Sequence, residues 1–92
     1  LQYALVGESS MKLKNGKVAI KYFDLLEKSF PNDENVPWSL FNKAYTYEFV
    51  LKDRTKAIEA YKHLYRTYPD SKWAANAKSQ ILYLKNPSFI GE

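Results

Sequence analysis

The chain has 92 residues, enough for one domain with a thin core, and its apolar content leans on aromatics: eight Tyr, five Phe and two Trp. It has no cysteine, so disulfides and thiolate metal sites are excluded, and no apolar run reaches the roughly 18 residues of a membrane span. The net charge of +4 sits entirely in residues 36–92, and twelve of the fourteen basic residues are Lys, which argues against bidentate phosphate or base reading by Arg.

Five helices are predicted in chain order. The first runs from about Leu1 to Lys12, with Tyr3, Val6 and Met11 as apolar contacts. Leu1 falls inside it, which reads as a chain trimmed at its N-terminus and leaves a removed leader open. Gly7 within the helix costs roughly 1 kcal/mol relative to Ala and calls for a close helix neighbour. Lys14-Asn15-Gly16 reads as a turn, with Asn-Gly as the breaker.

The second helix, about Lys17 to Phe30, sets Ala19, Ile20, Phe23, Leu26 and Phe30 on one face and stops at Pro31. After the polar Asn32-Asp33-Glu34-Asn35, Pro37 opens a third helix that runs to about Leu51. Its apolar residues go nearly all round, as expected of a helix sandwiched between neighbours. Thr55 is a candidate cap for a fourth helix, Lys56 to Tyr68, which ends at Pro69. Ser71 caps a fifth, Lys72 to about Lys85, with Trp73, Ala74, Ala77, Ile81 and Leu84 inward. Residues 86–92 form a tail whose Phe89 and Ile90 are placed to fold back on the fifth helix.

The second and fourth helices say the same thing 38 residues apart. Ala19-Ile20 recurs as Ala57-Ile58, Phe23 as Tyr61, Leu26 as Leu64, and Phe30-Pro31 as Tyr68-Pro69. A recurrence of packing residues at such a period is the mark of a stacked helical repeat. The pattern predicts an all-α helix–turn–helix solenoid: units of about 1–31 and 37–69 and an extra helix at 72–85, making one domain over 1–85.

This pattern resembles the tetratricopeptide repeat, a helix–turn–helix unit of about 34 residues. Gly7, Ala19, Phe23 and Pro31 match its glycine, small, aromatic and proline places; Ala57, Tyr61 and Pro69 repeat the last three. Phe41 stands where the family prefers Trp, Ala44 where it prefers Leu, Tyr45 at the glycine place and Glu48 at an aromatic one. The run from Tyr68 to Ala77, with Lys56 to Tyr61, resembles repeats of bacterial cell-envelope proteins. Examples are the Tol–Pal-associated periplasmic coordinator and the lipoprotein of the outer-membrane assembly machine. The resemblance implies non-catalytic protein binding in a periplasm or cell envelope, with the cytoplasm as the alternative.

No catalytic constellation is readable. His63 stands alone without metal-ligand spacing, the acids are scattered, and three unclustered glycines make no phosphate cradle. No cofactor, metal or catalytic residue is expected. In the resembled family the first helix of each pair lines a concave groove, which makes Glu8, Met11, Ser39, Asn42, Lys43, Thr46 and Phe49 candidate contacts for a partner protein, with Asn76 and Gln80 from the fifth helix. Two alternatives remain. The apolar end helices, with Leu1, Leu5 and Val6 at one end and Ile81, Leu82, Tyr83 and Leu84 at the other, could mediate self-assembly or complete a larger solenoid. More weakly, the basic residues 36–92, with the Tyr61, Tyr65 and Tyr68 stripe, could hold nucleic acid.

Overall fold

The computed structural model describes residues 2–85; the predicted tail at 86–92, with Phe89 and Ile90, lies outside them, as does Leu1. The described residues form α1 (Tyr3–Lys12), α2 (Gly16–Ser29), α3 (Val36–Tyr45), α4 (Arg54–Thr67) and α5 (Lys72–Lys85). Each consecutive pair of helices packs together, and α3 also touches α1 and α5. The architecture is the all-α stack of helix pairs read from the sequence, with α3 as its central layer.

The core is built from the recurring residues. Ala19 and Ala57 are buried, as are Phe23 and Tyr61, and Leu26 and Leu64. Around them the helices are joined by aromatic contacts: Phe23 meets Trp38 edge-on at 6.1 Å, and Phe41 lies 5.5 Å from Tyr61 and 5.3 Å from Trp73. Centroid separations of this kind add roughly 0.5–1.5 kcal/mol per pair beyond burial. Phe30 departs from its expected place on the apolar face: it is 56% exposed, while its counterpart Tyr68 donates its hydroxyl to Pro31 O at 2.9 Å. That bond ties the end of α4 to the end of α2.

Gly7 has the close neighbour that its cost demands. A Cβ there would stand 2.6 Å from the ring of Phe23. The helix pair α1–α2 therefore closes only because that position has no side chain.

The backbone repeats more faithfully than the side chains do. Lys14 and Lys52, 38 residues apart, both take left-handed φ, 62° and 58°. Asn15 and Asp53 precede α2 and α4 with similar dihedrals, and Phe30 and Tyr68 follow them with ψ of 65° and 62°. Lys14 occupies the left-handed position of a Schellman end: Asn15 N–H donates to Ser10 O at 2.8 Å and Lys14 N–H to Met11 O at 2.9 Å. The expected Asn-Gly turn is thus displaced. The chain turns on Lys14, and Gly16 is a buried first residue of α2 with negative φ, packed under Leu51. The cap of α4 also differs from expectation. Asp53 rather than Thr55 accepts from Lys56 N–H at 3.0 Å, because α4 starts two residues earlier than expected. Ser71 caps α5 as expected, its Oγ accepting from Trp73 N–H at 3.0 Å.

The third helix is not one regular helix to Leu51. After Tyr45 it widens into a π-helical turn, Thr46–Val50, in which Leu51 N–H donates to Thr46 O at 3.0 Å. The cause is legible at Tyr45. It stands where Gly7 stands in the first pair, and a phenol ring cannot lie against Tyr61 as Gly7 lies against Phe23. The chain instead leaves Tyr45 40% exposed, its ring tilted against that of Phe49 at 4.5 Å, and takes up one extra residue in the next turn. Thr46 Oγ1 donates back to Asn42 O at 2.7 Å, a bond that itself bends helices.

Candidate functional site

A cleft of about 540 Å³ opens on the side of the first helices of each pair. Gln2, Ala4, Leu5 and Glu8 line it from the α1 end. Glu34, Asn35 and Trp38 line it from the entry to α3, and Lys72 and Trp73 from the start of α5. These residues converge because the three helices run side by side and present their first turns together. Both tryptophans of the chain are in the cleft. Trp38 is steadied by Phe23 and Trp73 by Phe41, so neither ring needs ordering when a ligand arrives. Lys72 Nζ lies 5.3 Å from the Trp73 ring centroid. The cleft therefore offers a rigid aromatic floor, amide groups from Gln2 and Asn35, and two carboxylates, Glu8 and Glu34. Among the described residues Glu8 makes one ion pair, with Lys12 at 3.8 Å one helical turn on.

Of the residues expected in the groove, only Glu8 lines this cleft. Ser39 and Thr46 must be withdrawn as partner contacts: both are 0% exposed, and Ser39 Oγ has no hydrogen-bond partner. Small polar residues look like surface in a sequence, yet their size lets a helix neighbour close over them. Lys43 is directed to the other side of α3, where its Nζ pairs with Asp24 at 2.6 Å. Asn42 is half-buried and spends its amide on Trp38 O at 2.9 Å. Phe49 lies in a separate hollow with Glu48, Lys52, Arg54, Tyr83 and Leu84. Gln80 is committed internally, donating to both carboxylate oxygens of Glu48 at 3.0 and 2.9 Å. Met11 is half-buried and Asn76 exposed, and neither lines the cleft.

Glu48 holds a structural knot rather than a binding site. Besides Gln80 it accepts from the hydroxyl of Tyr61 at 2.9 Å, joining the end of α3 to α4 and α5. Burial first, and then the hydrogen bond to Glu48, push the Tyr61 hydroxyl far above its ordinary value of 10.0. An acid at an aromatic place of the repeat thus has a packing role. His63 likewise joins the two pairs: its Nε2 lies 2.7 Å from Glu27 Oε2, and its Nδ1 3.3 Å from Thr67 Oγ1.

Residues 38–71 match the tetratricopeptide repeat family model. The matched stretch runs from Trp38 in α3 to Ser71 at the cap of α5, one complete repeat, and supports a tetratricopeptide repeat domain. No curated protein matches the chain. Tetratricopeptide repeats generally mediate protein–protein interaction. The helices that carry the cleft are the first helix of the matched repeat and its neighbours in the stack. Among the described residues no group of His, Asp and Glu is gathered as a metal site, and no helix is long and apolar enough to cross a membrane.

The sequence reading missed Trp38, Trp73 and Leu5 as cleft residues. A signal was present: the two tryptophans sit 35 residues apart, each in the first turn of a first-of-pair helix. Leu5 at 58% exposure is the other mark, an apolar residue left open beside them.

Proposed function

We propose that this chain is a non-catalytic protein-interaction module that holds an extended segment of a partner protein in the cleft between α1, α3 and α5. The observation that carries it is the convergence of both tryptophans on one open hollow with amide and carboxylate groups around them. Such a mix of rigid aromatic area and few polar groups is what a peptide site needs. An apolar side chain fits against Trp38, Trp73 and Leu5, and a Lys or Arg beside it faces Glu8 and Glu34. The cell-envelope setting rests on the resemblance of the Tyr68–Ala77 and Lys56–Tyr61 runs, and fractionation of the native protein checks it: recovery with cytoplasmic markers would count against it.

Selection of a random peptide library on the full chain tests the cleft. Enriched peptides should pair an aromatic or aliphatic residue with a nearby basic one, and Glu8→Lys with Glu34→Lys should weaken them by about tenfold. Peptides with no such bias, bound equally well by the double variant, would overturn the reading.

A second reading has one supporting observation. Leu5 and Leu82, 58% and 66% exposed, lie on the first and last helices, as an end-to-end assembly requires. Ile81 and Leu84 do not contribute, since both are buried under α5. A mass by light scattering that stays monomeric across concentration would remove it.

A further inference from the structure

α1 has α2 as its hairpin partner and α3 has α4, while α5 packs on α4 and α3 with no second helix of its own among the described residues. The place such a helix would take can be read from the first unit, where α4 packs on α3 and reaches the α2 side through His63 and Tyr68. Two side-chain contacts meet there: the ion pair of Asp24 of α2 with Lys43 of α3, and the hydrogen bond between Glu27 of α2 and His63 of α4. Thirty-eight residues on from Asp24 and Glu27 stand Lys62 and Tyr65. These line an open hollow of about 320 Å³ together with Lys78, Ile81, Leu82 and Lys85 of α5. Its floor is apolar, with Leu82 66% exposed.

The polarity of this face is the reverse of its counterpart. Where α2 presents two acids to the next unit, α4 presents Lys62 and Arg66, and α5 adds Lys78 and Lys85. None of these four cations is ion-paired among the described residues. The ring of Tyr65 is flanked by two of them, Lys78 Nζ at 5.4 Å and Arg66 Cζ at 5.9 Å from its centroid. The adjacent Lys85 holds the Lys62 ammonium below the usual lysine value, because two cations side by side disfavour each other's charge. Cations gathered this closely on one face repel one another until an anion joins them.

We propose that the open face of α4 and α5 is a second docking surface, which receives an acidic amphipathic helix of a partner protein. Its apolar stripe covers Leu82 and Tyr65, and its carboxylates meet Lys62, Lys78 and Lys85, the mirror of the Asp24–Lys43 pair in the first unit. In a second copy of this chain Asp24 and Glu27 are already engaged by Lys43 and His63, so they do not supply these carboxylates.

Fluorescence anisotropy on the full chain tests this with a labelled helical peptide carrying a Leu stripe flanked by Glu. Its scrambled-order counterpart, a version with every Glu replaced by Lys, and a single-stranded oligonucleotide are measured beside it. The acidic helix should bind most tightly. Lys62→Glu with Lys78→Glu should weaken it by about tenfold or more, and Leu82→Ser should weaken it without altering the salt dependence. Lys17→Glu with Lys28→Glu makes the same change of net charge on α2 and should have little effect. Equal binding of the scrambled peptide, equal losses in the two double variants, or a preference for the oligonucleotide would each overturn the proposal.

Discussion

Gly7 shows how a single residue closes a helix pair. A methyl group there would meet the buried Phe23 ring at 2.6–2.7 Å, and the ring has nowhere to retreat. Gly7→Ala should therefore destabilise the chain by about 1–3 kcal/mol, despite the better helix propensity of Ala, as read by urea denaturation. Tyr61 makes the complementary point about a polar atom in the core. Its raised ionisation favours the neutral hydroxyl in the folded state. Its stabilising contribution is therefore complete below the unfolded-state value near 10 and is lost as pH rises above it. Unfolding midpoints measured between about pH 9 and about pH 11 should fall, with about 1.4 kcal/mol per pH unit from this group above pH 10, and Tyr61→Phe should flatten that slope.

Helix ends in this protein follow the repeat, although their residues do not advertise it. Lys14 and Lys52 both hold left-handed backbone at equivalent positions, a conformation glycine adopts without cost. Lys14→Gly and Lys52→Gly should each raise stability by about 0.5–1 kcal/mol in the same denaturation assay. No gain at either position would mean that the lysine side chains contribute something the backbone does not reveal. The π-helical turn after Tyr45 is the element-scale counterpart of Gly7. Where the glycine is present the pair closes with regular helices, and where it is replaced the helix takes in an extra residue.

The whole molecule was legible in sequence to the extent that packing residues recur. Ala19 and Ala57, Phe23 and Tyr61, and Leu26 and Leu64 must be small or bulky at fixed spacing for the helices to stack, so they leave a visible echo. The cleft leaves a fainter one, the two tryptophans at the starts of α3 and α5. It is assembled from the first turns of three helices and from Glu34-Asn35, which belong to the loop that lengthens the repeat. Ser39, Thr46 and Lys43 show that polarity in a sequence is not exposure in the fold. The first two are closed over by neighbouring helices, and the third is turned away toward Asp24.

The two tryptophans also provide the most direct measurement of the proposed function. Their indole N–H signals are the only two of their kind in an NMR spectrum of the chain. Titration with a peptide selected on the protein should move both indole signals along one binding curve, together with the backbone signals of Leu5 and Glu8, and leave those of Asn76 unmoved. A peptide that binds while both indole signals stay in place would contradict the cleft as the binding site.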